Sequence, residues 1–153
     1  MSDKTITRRP RNRAAARSGS ASIRSPRPRM ITGPADVIAL LGRDARNLDR
    51  EHFWAIALDA CNMFLDLELV SIGSLTAAIV HPREVFKAAL LANAASILVV
   101  HNHPSGDLRA SPEDRETTAR LKKAGDILGV PLVDHVVLGQ GGGFFSFREA
   151  GLL

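Results

Sequence analysis

The sequence predicts a three-layer α/β domain, a mixed sheet with flanking helices on both faces. Three observations predict it. Uncharged apolar runs, such as Ser96–Val100, read as buried strands. Segments with helical spacing start at Pro34, Pro82 and Pro112, residues suited to a first helical turn. The two kinds of segment also alternate along the chain, which layers helices on a sheet.

The elements follow in order. Pro34–Leu41 reads as a short helix stopped at Gly42. Phe53–Asp59 reads as a buried strand, and Met63–Gly73 as its hairpin partner across the turn Ala60-Cys61-Asn62. Asp66 and Glu68 alternate with Leu65, Leu67 and Leu69, which predicts one wet face. A loop follows Ser74-Leu75. The helix opened by Pro82 runs to Asn93, with Val85, Phe86, Ala89 and Leu90 along one side. His81, just before it, takes a structural or substrate-side role. The helix from Pro112 ends near Leu128, at Gly129. Val130–Leu138 is a strand interrupted by Asp134-His135, a mobile turn spans Gly139–Gly143, and Phe144–Phe147 is a last short strand.

Composition narrows the function classes. A chain of 153 residues, 45% hydrophobic and 24% charged, has room for one soluble domain with a core. The single Cys61 excludes an internal disulfide or a thiolate cluster and suits a reducing compartment, so a cytoplasmic location is expected. No apolar run reaches the roughly 18 to 20 residues of a membrane span, and the basic N-terminus lacks the apolar stretch of a secretory signal. Residues 1–30 carry nine Lys or Arg against Asp3 alone, whereas the remaining 123 carry 11 basic and 15 acidic residues. The basic character therefore belongs to the tail. With almost no large apolar side chains, that tail is expected to be disordered. Its phosphate-seeking charge allows weak nonspecific nucleic-acid contact, and a solvated leader without a partner is the favoured reading.

The chemistry lies in His101-Asn102-His103-Pro104-Ser105-Gly106 and the Ser111-Pro112-Glu113-Asp114 that follows. Strand alternation sends His101 and His103 to the same side at the strand's end, with Asn102 pointing the other way. Ser111 is a good N-cap, and Asp114, three residues on, belongs to the first helical turn. Two imidazoles and a carboxylate make a three-ligand divalent-metal site, and a zinc site of that kind keeps its fourth position for water. An ordinary capping box has the same Ser-x-x-Asp appearance.

This window resembles the JAMM metalloprotease motif: His-x-His, seven residues (Pro104 to Ala110), then Ser-x-x-Asp. The wording His-Asn-His-Pro-Ser-Gly, with Asp134-His135 downstream, resembles the RadC family, a bacterial branch of the JAB/MPN domains, from about Ile31 to Leu153. The resemblance implies the layered fold that JAB/MPN domains share with cytidine deaminases. It also implies a Zn²⁺-dependent peptidase or isopeptidase with metal ligands His101, His103 and Asp114. Glu51, ahead of the first core strand, would be the general base, with Glu68 as its rival. Ser111 would donate to the tetrahedral oxyanion, a role compatible with capping because a cap uses the oxygen as acceptor. Asp134 and His135 are either partners of the ligating imidazoles or a polar pair at a strand kink. A nucleobase deaminase needs Pro-Cys-x-x-Cys and is excluded by the single cysteine. A DNA-associated accessory protein with little hydrolysis is the other reading, since the RadC name carries an association with DNA repair. Longer members have a helix-hairpin-helix segment ahead of the JAB domain, where this chain has the basic tail and one short helix.

Overall fold

Two strands with almost no exposed residues form the centre of the sheet. In β1 (His52–Leu58) every residue after the first is buried, and in β3 (Ser96–His103) every residue before the last. A strand buried on both faces must lie between two layers, which explains the uncharged runs. The computed structural model describes residues 30–73 and 80–153. The basic tail, apart from Met30, and the loop at Ser74-Leu75 lie outside the described residues.

The sheet has five strands in the order β2-β1-β3-β4-β5, with β2 (Phe64–Ile72), β4 (Leu132–Gly139) and β5 (Phe144–Ser146) completing it. β1 runs antiparallel to β2 and β3, β3 parallel to β4, and β4 antiparallel to β5. A parallel pair needs a crossover, and α3 (Pro112–Leu128) supplies it between β3 and β4. On one face Phe53, Ala55, Ile97 and Val99 pack with Val85 and Phe86 of α2 (Pro82–Leu91) and Leu121 of α3. On the other, Trp54, Ile56, Leu98 and Val100 pack with Val37, Leu40 and Leu41 of α1 (Pro34–Ala45). The three-layer mixed α/β architecture is the one expected.

Three details differ from the sequence reading. α1 does not stop at Gly42 but continues to Ala45, which is buried with Leu40 and Leu41. The helical cost of a glycine, about 1 kcal/mol, is offset by burying that turn. β2 is not cleanly amphipathic: Leu65 and Leu69 are exposed, while Glu68 is half-buried. As an edge strand with one neighbour it is incompletely covered on either side. β4 is not interrupted at Asp134-His135. Its pairing with β3 shifts register once, between Leu132 and Asp134, and is regular from there to Gly139. The turn expected at Gly139–Gly143 is present, Gly139 N–H donating to the Gly143 carbonyl at 3.0 Å.

α3 approaches its neighbours closely at Gly125. A Cβ there would lie 2.6 Å from the Val130 carbonyl oxygen and 3.2 Å from both Leu132 N and Phe86 Cζ. Alanine would gain about 1 kcal/mol in helix propensity. Overpacking against backbone atoms that cannot rotate away costs about 1–3 kcal/mol and is the larger effect. Gly125→Ala is therefore expected to lower the urea midpoint, followed by circular dichroism, with the slope unchanged. An unchanged or raised midpoint would contradict this packing.

Candidate metal centre

The site is built by one strand end and one helix start. β3 continues through His103 rather than stopping before the histidines, with His101 paired to Phe53 and Val137 and His103 to Gly139. Alternation puts both imidazoles on the sheet face beneath α2 and α3. Ser111 caps α3: its hydroxyl oxygen accepts from Asp114 N–H at 3.0 Å, and Asp114 Oδ2 accepts from Ser111 N–H at 2.8 Å. The capping box and the metal site are thus one geometry, because the reciprocal cap aims the Asp114 carboxylate at the imidazoles. Asp114 Oδ1 lies 3.3 Å from His101 Nε2, and Oδ2 lies 3.6 Å from His103 Nε2.

Among the described residues these three are a group able to hold a metal ion, with ligand atoms all within 4.8 Å of one another. His101 and Asp114 have side chains 0% and 1% exposed, so His103, at 12%, is the ligand that reaches solvent. The two Nε2 atoms are 2.8 Å apart. Two ring nitrogens that close need a proton or a cation between them. With no thiolate, the donor set fits Zn²⁺ or another borderline divalent ion.

Supporting contacts fix the ligands. His103 Nδ1 meets the carbonyl of Asp107, whose carboxylate is gripped by Arg109 at 2.7 Å. Those hydrogen bonds from Arg109 hold the Asp107 carboxyl down at about 2. His101 Nδ1 is 2.7 Å from His135 Nε2, and His135 Nδ1 is 2.6 Å from the Thr118 hydroxyl. Burial holds both His101 and His135 well below the usual imidazole range, reinforced by the charge of neighbouring histidines. Of the two readings of Asp134-His135, His135 is hydrogen-bonded to the candidate ligand His101. Asp134 faces away, accepting from Ser146 Oγ at 2.7 Å and Arg148 N–H at 3.0 Å.

Glu51 precedes β1 and is half-buried, its carbonyl accepting from Gly73 N–H at 2.8 Å. The β1–β3 register matches Phe53 with His101. The segment before Phe53 therefore lies at the same sheet end as the histidines. Asn102 holds this segment: its Oδ1 accepts from His52 N–H at 2.7 Å and its Nδ2 donates to the Arg50 carbonyl at 3.0 Å. Glu68, opposite Ala55 on the edge strand, lies away from the histidine level. His81 is the N-cap of α2, its Nδ1 accepting from Arg83 N–H at 3.2 Å, which is a structural role. Sequence reasoning missed Asn102 as a staple and Thr118 altogether. The available signal for Thr118 was its place four residues after Asp114, one turn along the same helix face.

Fold and cluster together define a three-layer α/β domain with a candidate divalent-metal centre. The chain belongs to the RadC-like JAB domain family, whose model matches residues 31–152. It is 47% identical over 130 residues to a UPF0758 protein of Rubrobacter xylanophilus, covering 85% of this chain and 56% of that protein. It is 52% identical over 121 residues to one from Caldanaerobacter subterraneus, covering 79% and 52%, and 46% identical over 125 residues to one from Methanosarcina acetivorans, covering 82% and 54%. The chain spans about half the length of the curated relatives it matches.

Two outcomes follow from this geometry. Metal analysis of the purified chain should find about one divalent ion per molecule, lost in His103→Ala and in Asp114→Asn, which keeps a capping oxygen but removes the charge. Equal metal in all three would contradict the site. In the metal-free protein, His101 and His135 titrate lower when folded than their unfolded value of about 6.5. The unfolded state then binds more protons, so stability rises with pH. Their contribution is fully present above about pH 6.5 and is lost progressively as pH falls below it. Urea midpoints across that range should fall on acidification, and a flat profile would contradict the neutral buried imidazoles.

Proposed function

We propose that this domain is a JAMM-type zinc hydrolase, a peptidase or isopeptidase that cleaves amide bonds. The observation that carries this reading is the His101–His103–Asp114 cluster, open on the His103 side, at the sheet end where Asn102 holds the backbone before and after Glu51. A zinc ion, when bound, lowers the pKa of a coordinated water to about 7 and polarises the scissile carbonyl. Glu51 takes the proton of the attacking water and delivers it to the leaving amine. The Ser111 hydroxyl, whose oxygen caps α3, keeps its proton for the tetrahedral oxyanion. Asn102 holds the strand segment that carries Glu51. A reducing, cytoplasmic setting suits the exposed free thiol of Cys61.

The test is cleavage of a peptide library and of isopeptide-linked peptides by the zinc-loaded chain. Glu51→Gln should reduce turnover by about 10²–10⁴-fold while retaining the metal. Ser111→Ala should reduce it by about 10²–10³-fold. Undiminished cleavage by Glu51→Gln, or none by the zinc-loaded wild type, would overturn the reading.

A further inference from the structure

We propose that Thr118 and His135 are positioning residues that lock His101 in the tautomer whose Nε2 lone pair faces the metal position. The inference rests on the reading of His101, His103 and Asp114 as a metal site and goes beyond it. It assigns a role to two buried polar residues outside the ligand set.

The argument starts from a group whose role is not adjustable. The main-chain carbonyl of Asp114 can only accept a hydrogen bond. The Thr118 hydroxyl lies 2.6 Å from it, one helical turn on, and therefore spends its single proton there. Thr118 Oγ1 must then accept from His135 Nδ1, also at 2.6 Å. A neutral imidazole has one N–H, so His135 Nε2 carries a lone pair. His101 Nδ1, 2.7 Å from that lone pair, must be the donor. His101 Nε2 is left unprotonated, pointing at the Asp114 carboxylate and His103 Nε2. Every hydrogen in this sequence is directed by one acceptor-only group. That group belongs to Asp114, whose side chain is itself a candidate ligand.

Burial makes the assignment strict. Thr118 is 2% exposed and both histidines 0%, so bulk water is not at hand as an alternative partner. Stacking of His135 on Phe147, with ring centroids 4.8 Å apart, and its edge contact with Phe53 hold the ring in place. His103 receives its own constraint separately, from the Asp107 carbonyl. A metal-ligating histidine commonly donates its other N–H to a carboxylate or carbonyl. Here the acceptor is a second, neutral histidine, and a threonine decides which of that ring's nitrogens can accept.

Two measurements on the full chain test this. Long-range ¹H–¹⁵N spectra of the zinc-loaded wild type at neutral pH should show His101 and His135 both protonated at Nδ1. Zinc affinity by chelator competition should fall about 10–100-fold in Thr118→Val, which keeps the shape and loses the hydroxyl, and in His135→Phe, which keeps the stacking ring. Thr118→Ser should restore most of the affinity and the wild-type tautomers. A zinc-loaded wild type with His135 protonated at Nε2 would overturn the proposal, and that result is readable even if both variants fail to fold. Wild-type affinity and spectra in folded Thr118→Val would also overturn it, and zinc binding that is still abolished by Asp114→Asn would leave the metal site intact. No zinc uptake by the wild type would instead overturn the metal reading and this inference together.

Discussion

The Asp114 carboxylate, held by the first turn of α3 against two imidazoles at the end of β3, is the constraint on which the rest of the site depends. Burying a carboxylate costs several kcal/mol unless other groups compensate. The Ser111 N–H supplies one hydrogen bond at 2.8 Å. The His101 ring, 3.3 Å from the carboxylate, is kept neutral by burial and gives little charge compensation. One negative group and two ring lone pairs in a pocket nearly closed to water form an arrangement that a divalent cation completes. The helix cap serves stability and ligand geometry at once.

The sheet aligns the remaining parts. Antiparallel pairing of β1 with β3 sets Phe53 against His101 and brings the Glu51 segment alongside, where Asn102 binds its backbone on both sides of Glu51. Parallel pairing of β3 with β4 sets His135 beside Val99, within reach of His101. α3 crosses between those strands and so carries both Asp114 and Thr118 over the same sheet face. His101, His103 and His135 thus come from strands, and Asp114 and Thr118 from one helix, where packing limits displacement more than in a loop. Gly125 allows α3 to approach closely enough for this.

What was legible in the sequence is what rests on local periodicity. Alternation along a strand places His101 and His103 together, and the spacing of a helix cap places Asp114, so the cluster followed from 14 consecutive residues. Glu51 was reached through family resemblance, not through local periodicity. The Thr118–His135–His101 connection was not legible, since it depends on how α3 lies over β4. The end of α1 was misread because burial of Ala45 outweighs the local preference of Gly42. The faces of β2 were misread because alternation does not reveal that a strand lies at an edge.

The most direct measurement of the central claim is anomalous diffraction at the zinc absorption edge from crystals of the zinc-loaded chain. The account predicts one strong peak within about 2.0–2.2 Å of His101 Nε2, His103 Nε2 and an Asp114 carboxylate oxygen. A peak held by other residues, or none at this junction in crystals that contain stoichiometric zinc, would contradict it.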